Sequence, residues 1–172
     1  HAYRASGDRK KSLAFANLLI KHHPDLTSGY ILSTQDSIEI NHLNEAQSTI
    51  QTGLERIPNN IDLLKIAIEV CRAANDHEKA LEYADLLIIH HPEQWIGYGL
   101  AAEELLTLQR FEEAQTKVHA GLEKFPNEVY FLTIANHAYR ASGDRKKSLT
   151  YANLLIKHHT DLTTDYILST HD

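Results

Sequence analysis

Apolar residues recur along this chain at helical spacing. Leu81, Ala84, Leu87 and Ile88 fall at i, i+3, i+6 and i+7, and Leu64, Ala67, Ile68 and Cys71 form a second such run upstream. Each run puts one apolar stripe on an α-helix. Between them "AANDHE" interrupts the pattern with Asn and Asp, which favour turns and helix starts. The pattern predicts helix, short turn, helix. Prolines at 24, 58, 92 and 126 each follow a similar segment ("SLAFANLLIKHHP", "AQSTIQTGLERIP", "ALEYADLLIIHHP", "AQTKVHAGLEKFP"). They mark the exit from the second helix of each pair. A fifth segment, "SLTYANLLIKHHT", ends at Thr160, where the next proline is due. The spacing predicts helices over 9–23, 27–40, 43–57, 61–74, 77–91, 95–108, 111–125, 129–142 and 145–159, with a partial helix at each end.

The prolines stand 34 residues apart, so the thirteen residues "HAYRASGDRKKSL" at 1–13 return four periods later at 137–149. Segments 1–34 and 137–170 differ only at Ala14/Thr150, Phe15/Tyr151, Pro24/Thr160, Ser28/Thr164 and Gly29/Asp165. A fixed period of this length signals stacked helical hairpins, each too small to bury its apolar stripe without its neighbours. A second period of 68 overlies the first. Ala16/Leu19, Ala84/Leu87 and Ala152/Leu155 alternate with Ile50/Gly53 and Val118/Gly121. Large and small residues trade places across one helical turn, which conserves volume and predicts one shared packing site.

The repeats resemble the tetratricopeptide repeat (TPR) family, a 34-residue helical hairpin with small residues at set places and a proline near its end. The family's small residue in the second helix falls on Ser12, Ala46, Ala80, Ala114 and Ser148. Its aromatic in the first helix falls on Tyr30, Leu64, Tyr98, Leu132 and Tyr166, and a further small place holds Thr34, Ile68, Ala102, Asn136 and Thr170, with Ile68 the departure. The resemblance covers the whole chain. It implies an all-α, right-handed superhelix of about five repeats: a partial repeat at 1–26, repeats at 27–60, 61–94, 95–128 and 129–162, and a partial repeat at 163–172. The chain contains no Met and both ends fall halfway through a first helix, so a longer parent protein is expected.

Composition narrows the function classes. The net charge of −6 lacks the electrostatic basis for binding a phosphate backbone, so no nucleic acid is expected. No apolar run approaches the length of a membrane span. Protonation of all twelve His would carry the net charge from −6 to +6, reversing the surface field below about pH 6. One cysteine excludes an internal disulfide and leaves the compartment open, the cytoplasm being the default expectation.

Candidate chemistry is sparse. The pairs His22/His23, His90/His91 and His158/His159 suggest metal ligands. Adjacent helical residues diverge by about 100°, however, and cations are favourable at helix C-termini without any metal. "GDRKK" at 7–11 and 143–147 reads as a solvated turn, with Asp8 and Asp144 capping a second helix. Cys71 occupies a packing place, as a small buried hydrophobe. Neither a phosphate-binding glycine loop nor a nucleophile elbow is present. No metal, no cofactor and no catalysis are expected.

The resemblance implies that the first helices line a concave groove. Their stripes are Ser28, Ile31, Gln35, Ile38 and Glu39; Asp62, Lys65, Glu69, Arg72 and Ala73; Ile96, Gly99, Glu103, Leu106 and Thr107; and Tyr130, Thr133, His137, Arg140 and Ala141. Gln35, Glu39, Asp62, Lys65, Glu69, Arg72, Glu103, Leu106, Tyr130, His137 and Arg140 are the candidate partner-binding residues. Lys65, Glu69 and Arg72 also suit an intrahelical ion-pair ladder. Two groove types of the family fail here. The clamp for a chaperone's C-terminal carboxylate needs Asn four residues after its Lys, and Lys65 is followed by Glu69. The asparagine ladder of O-linked N-acetylglucosamine transferase falls on Leu32, Ile66, Leu100, Ile134 and Leu168. The expected function is a protein- or peptide-binding scaffold. The alternative is an accessory array of a larger enzyme such as a bacterial glycosyl- or sulfotransferase. Head-to-tail self-association, with 163–172 of one molecule placed before His1 of another, is a further expectation.

Overall fold

The structure, a computed structural model, describes residues 8–126 and 128–169. Residues 1–7 and 170–172, on which the first partial helix and the head-to-tail contact depend, lie outside the described residues. The described residues form nine α-helices: α1 Arg9–His22, α2 Thr27–Glu39, α3 Leu43–Arg56, α4 Ile61–Ala73, α5 His77–His90, α6 Trp95–Thr107, α7 Phe111–Lys124, α8 Val129–Ala141 and α9 Arg145–Ser169. Eight of the nine agree with the sequence spacing to within a residue. The chain divides between Gln94 and Trp95 into two compact units, at an expected repeat boundary.

In the first unit each helix packs on the next, from α1 to α5, and α2 also packs on α4. Its core joins Tyr30, Ala46, Ile50, Leu63, Ile66, Ala67 and Val70. In the second unit α6, α7, α8 and α9 pack in sequence, and α6 also packs on α8. In both units first helices therefore touch the first helix of the next repeat as well as their own hairpin partner. Ser12, Ala46, Ala80, Ala114 and Ser148 are all buried, which lets the two helices of a hairpin approach closely. Ile68 is only 1 % exposed, so the larger residue at that place is accommodated in the core.

The turn within each hairpin requires one residue in the left-handed region. Asn41, Asn75, Gln109 and Gly143 fill it, with φ of 61°, 58°, 59° and 85°. Asn and Gly adopt this conformation at little cost; Gln does not. The next helix then opens in one of two ways. Asp8, Asp76 and Asp144 accept from the backbone N–H of Lys11, Lys79 and Lys147 at 3.0–3.2 Å. In the intervening repeats the charges are exchanged: His42 meets Glu45 at 3.3 Å, and Arg110 grips Glu113 through two bonds of 2.7 Å. The 68-residue period thus extends to the helix starts.

The exchange of large and small residues also has a structural cause. Gly53 lies beneath the Tyr30 ring and Gly121 beneath the Phe131 ring. The small residue seats an aromatic ring, and Ile50 and Val118 supply the volume one turn earlier, both nearly or fully buried.

One helix departs from expectation. α9 was predicted to end near 159, yet it continues to Ser169 and absorbs the start of the expected partial repeat. The replacement of Pro24 by Thr160 between the end segments accounts for this. Pro24 stops the first copy, whereas Thr160 keeps its N–H and has no ring to clash with the preceding turn. Gly29 lets α2 close onto α1: a Cβ there would lie 3.0 Å from Ile20 Cγ1 and 3.2 Å from the Ile20 backbone nitrogen. The last copy carries Asp165 at that place in the sequence.

Candidate functional site

Within each unit the first helices present the stripes read from the sequence. In α4, Asp62 and Glu69 are exposed and Lys65 and Arg72 half-buried. Lys65 Nζ lies 3.6 Å from Asp62, one turn before it, whereas the ladder paired it with Glu69, one turn after. In α2, Gln35 is half-buried and Glu39 exposed. Glu39 is engaged: Arg9 Nε of α1 donates to it at 2.5 Å.

That contact corrects the reading of "GDRKK" as a purely solvated turn. Lys11 does pair with its own cap, Asp8, at 2.9 Å, and holds that carboxyl below the usual range, chiefly by hydrogen bonding. Arg9 instead reaches α2, where it also lies 3.8 Å from Asp36, which is fully buried. Asp36 and Glu104 stand 68 residues apart and are both buried, at places where the other repeats carry Val70 and Ala138. The alternation of acid with apolar residue at this place was the signal available in the sequence.

In the second unit the stripes of α6 and α8 come together. Tyr130 packs over Gly99, with its ring against Trp95 at a centroid distance of 5.0 Å. Further along, Leu106, Thr107, His137, Arg140 and Ala141 line one open depression of about 430 Å³. His137 and Arg140 are exposed, while Glu103 and Leu106 are half-buried. The structure therefore brings Leu106, His137 and Arg140 into one place, and seats the Tyr130 ring between Gly99 and Trp95.

A distinct cluster joins Tyr139 of α8 to side chains of the second helices α7 and α9. Tyr139 stacks on Tyr151 at 5.5 Å and 6°, shares a 2.5 Å hydrogen bond with His119, and lies under Lys147 Nζ at 4.9 Å. Burial pushes both tyrosine hydroxyls above their ordinary range. Asp144 adds to the effect at Tyr139, and Tyr139 adds to it at Tyr151. His91 has a structural role: its Nε2 meets the Asn59 carbonyl at 2.5 Å, tying the end of α5 to the preceding repeat. Cys71 is a buried free thiol. Among the described residues no group of three His, Cys, Asp or Glu is placed to hold a metal ion, and no helix is long and apolar enough to cross a membrane.

No protein-family sequence model matches the chain, and no curated protein matches it. Solved structures do. The crystal structure of MamA superposes with a TM-score of 0.78 at 12% identity, over 95% of both chains. A tetratricopeptide repeat protein from Parabacteroides merdae ATCC 43184 gives 0.76 at 20% identity, over 97% of this chain and 65% of that one. The TPR protein YrrB gives 0.67 at 17% identity, over 99% of this chain and 86% of that one. At these identities the likeness establishes the fold. The chain has the tetratricopeptide-repeat fold.

Proposed function

We propose that this TPR-fold chain is a non-catalytic scaffold that binds a segment of another protein, extended or helical, on the face formed by its first helices. The observation that carries this reading is the depression between α6 and α8. All five residues that line it, Leu106, Thr107, His137, Arg140 and Ala141, belong to the stripes expected of a binding face. Leu106 and Ala141 offer apolar contact beside the Arg140 cation, which suits an apolar anchor flanked by an acid. In the first unit, Asp62, Lys65, Glu69 and Arg72 put both signs of charge on one face, so a mixed-charge segment fits better than a polyanion. Unlike side chains at equivalent places favour a specific sequence over a monotonous polymer. The fold is shared with YrrB, described as a TPR protein with an unusual peptide-binding site, which supports a peptide partner. Arginine and tyrosine dominate interface energies, so Arg140, Arg72 and Tyr130 should contribute most.

The test is capture of partners from lysate with wild type and with the double variant Glu69→Arg/Arg140→Glu, which leaves the net charge unchanged. Affinity should fall by about 1–3 kcal/mol, as charged contacts at an interface typically require. Equal capture by both proteins, together with loss of capture in the second-helix variant Glu82→Arg, would overturn the reading.

A further inference from the structure

The 68-residue period pairs equivalent places in the two units: Gln51 with His119, Cys71 with Tyr139, Lys79 with Lys147 and Tyr83 with Tyr151. In the second unit these places make one closed contact. The Tyr139 side chain is nearly buried, its ring stacks on Tyr151 at 5.5 Å and 6°, and Lys147 Nζ lies 4.9 Å from the ring centre. Its hydroxyl shares a hydrogen bond with His119 Nε2.

In the first unit that ring is missing. Its place belongs to Cys71, whose side chain stops at one sulfur. The groups that would receive a ring are still present. Gln51 of α3, Cys71 of α4, and Lys79 and Tyr83 of α5 all line one cavity of about 390 Å³, a volume within the range of small-molecule sites, about 300–1,000 Å³. Ile50, Val70 and Cys71, each no more than 3% exposed, supply its apolar lining. Tyr83 packs against the core that contains Ile50 and Val70. A tyrosine ring favours stacking on another aromatic, and an ammonium favours the face of such a ring. Gln51 Nε2 donates to Glu55 at 3.3 Å, so its carbonyl oxygen is the atom suited to accept from a ring hydroxyl.

We propose that the cavity lined by Cys71 binds a small phenol, whose ring takes the place that Tyr139 fills in the second unit. The ring stacks on Tyr83, Lys79 lies over it, and its hydroxyl donates to Gln51. The cavity volume suits a whole small molecule rather than a lone side chain of a partner. The second helices α3 and α5 wall this site, so it is separate from the first-helix face of the proposed function and stands without it.

p-Cresol, the tyrosine side chain as a free molecule, is the probe. It is titrated into the isotope-labelled whole chain and followed by amide shifts in nuclear magnetic resonance. Saturable shifts are expected at the Gln51 side chain and around Cys71 and Tyr83. 4-Methylcyclohexanol keeps the hydroxyl and the size but lacks the aromatic face, and should bind about two- to tenfold more weakly. Lys79→Gln, an exposed change, should weaken p-cresol about two- to fivefold. Cys71→Tyr supplies the ring from within and should abolish the binding, with circular dichroism unchanged. The proposal is overturned if the shifts do not saturate or fall elsewhere, if 4-methylcyclohexanol binds equally well, or if Lys79→Gln leaves the affinity unchanged. A folded Cys71→Tyr chain that binds p-cresol like wild type overturns it too. If p-cresol does not bind but a tyrosine-containing peptide shifts the same residues, the occupant is a partner's side chain and the assignment to a small molecule is overturned.

Discussion

The Tyr130 ring rests directly on Gly99, so that a methyl group added to the glycine would overlap the ring edge. Gly121 lies in the same way beneath Phe131, but the two rings differ in freedom. Phe131 is fully buried and stacked near Phe125 at 6.4 Å, whereas Tyr130 is half-buried and can tilt. Alanine gains about 1 kcal/mol over glycine in helix propensity, and overpacking a fixed core costs about 1–3 kcal/mol. Gly121→Ala should therefore lower stability by about 1–2 kcal/mol. Gly99→Ala should be near neutral in denaturant titration while shifting the emission of Trp95, whose ring touches Tyr130. Equal effects at the two sites would show that ring mobility does not matter.

Gln109 holds the left-handed turn that Asn41, Asn75 and Gly143 hold elsewhere. A side chain branching into that conformation costs about 1–2 kcal/mol unless it is Gly or a short polar residue. Gln109→Gly or Gln109→Asn should stabilise the protein by about 0.5–1 kcal/mol, read as a higher denaturant midpoint with unchanged slope. An unchanged or lower midpoint contradicts the assignment.

Arg9 compensates the buried Asp36 carboxylate while also holding Glu39. Removing one partner of a buried pair is costly because it leaves a desolvated charge behind, but Arg9 is 31% exposed, so solvent screens part of the loss. Arg9→Gln should cost about 1–2 kcal/mol. Adding Asp36→Asn in that background should recover part of it. A cycle in which the two changes simply add would show that the pair is not coupled.

Tyr139 and Tyr151 titrate above their ordinary range, chiefly because they are buried. Below the unfolded tyrosine value, about 10, both states keep the proton and the stabilisation is complete. Above it the unfolded chain ionises first, so it binds fewer protons than the native chain and stability falls as pH rises toward the native values. Tyr151→Phe should make that alkaline decline shallower, measured by denaturation at a series of pH values above 9. An identical slope in the variant would remove Tyr151 from the account.

Most of the fold is legible along the chain because its causes are local. Apolar spacing set the helices, and the proline or its absence set their ends; Asp8, Asp76 and Asp144 capped the helix starts as their place before a helix implies. The run of α9 through Thr160 was misjudged because four prolines in register made the fifth exit look obligatory. Its cause is the replacement of Pro24 by Thr160, which acts on the backbone. The Arg9–Asp36 pair joins residues 27 apart on different helices, which local spacing does not reveal. The seat of Tyr130 on Gly99 is equally non-local. Of the candidate face, the grouping of Leu106, His137 and Arg140 followed from the stripe. The capture of Glu39 by Arg9 did not.

The central claim is that partners lie on the first-helix face. Photo-cross-linking measures this most directly, with a photoreactive residue placed singly at Glu69 or His137 on that face and at Glu82 or Lys117 on the second helices, all exposed or half-buried. The account predicts partner adducts from positions 69 and 137 and none from 82 and 117. Adducts confined to 82 and 117 would contradict it.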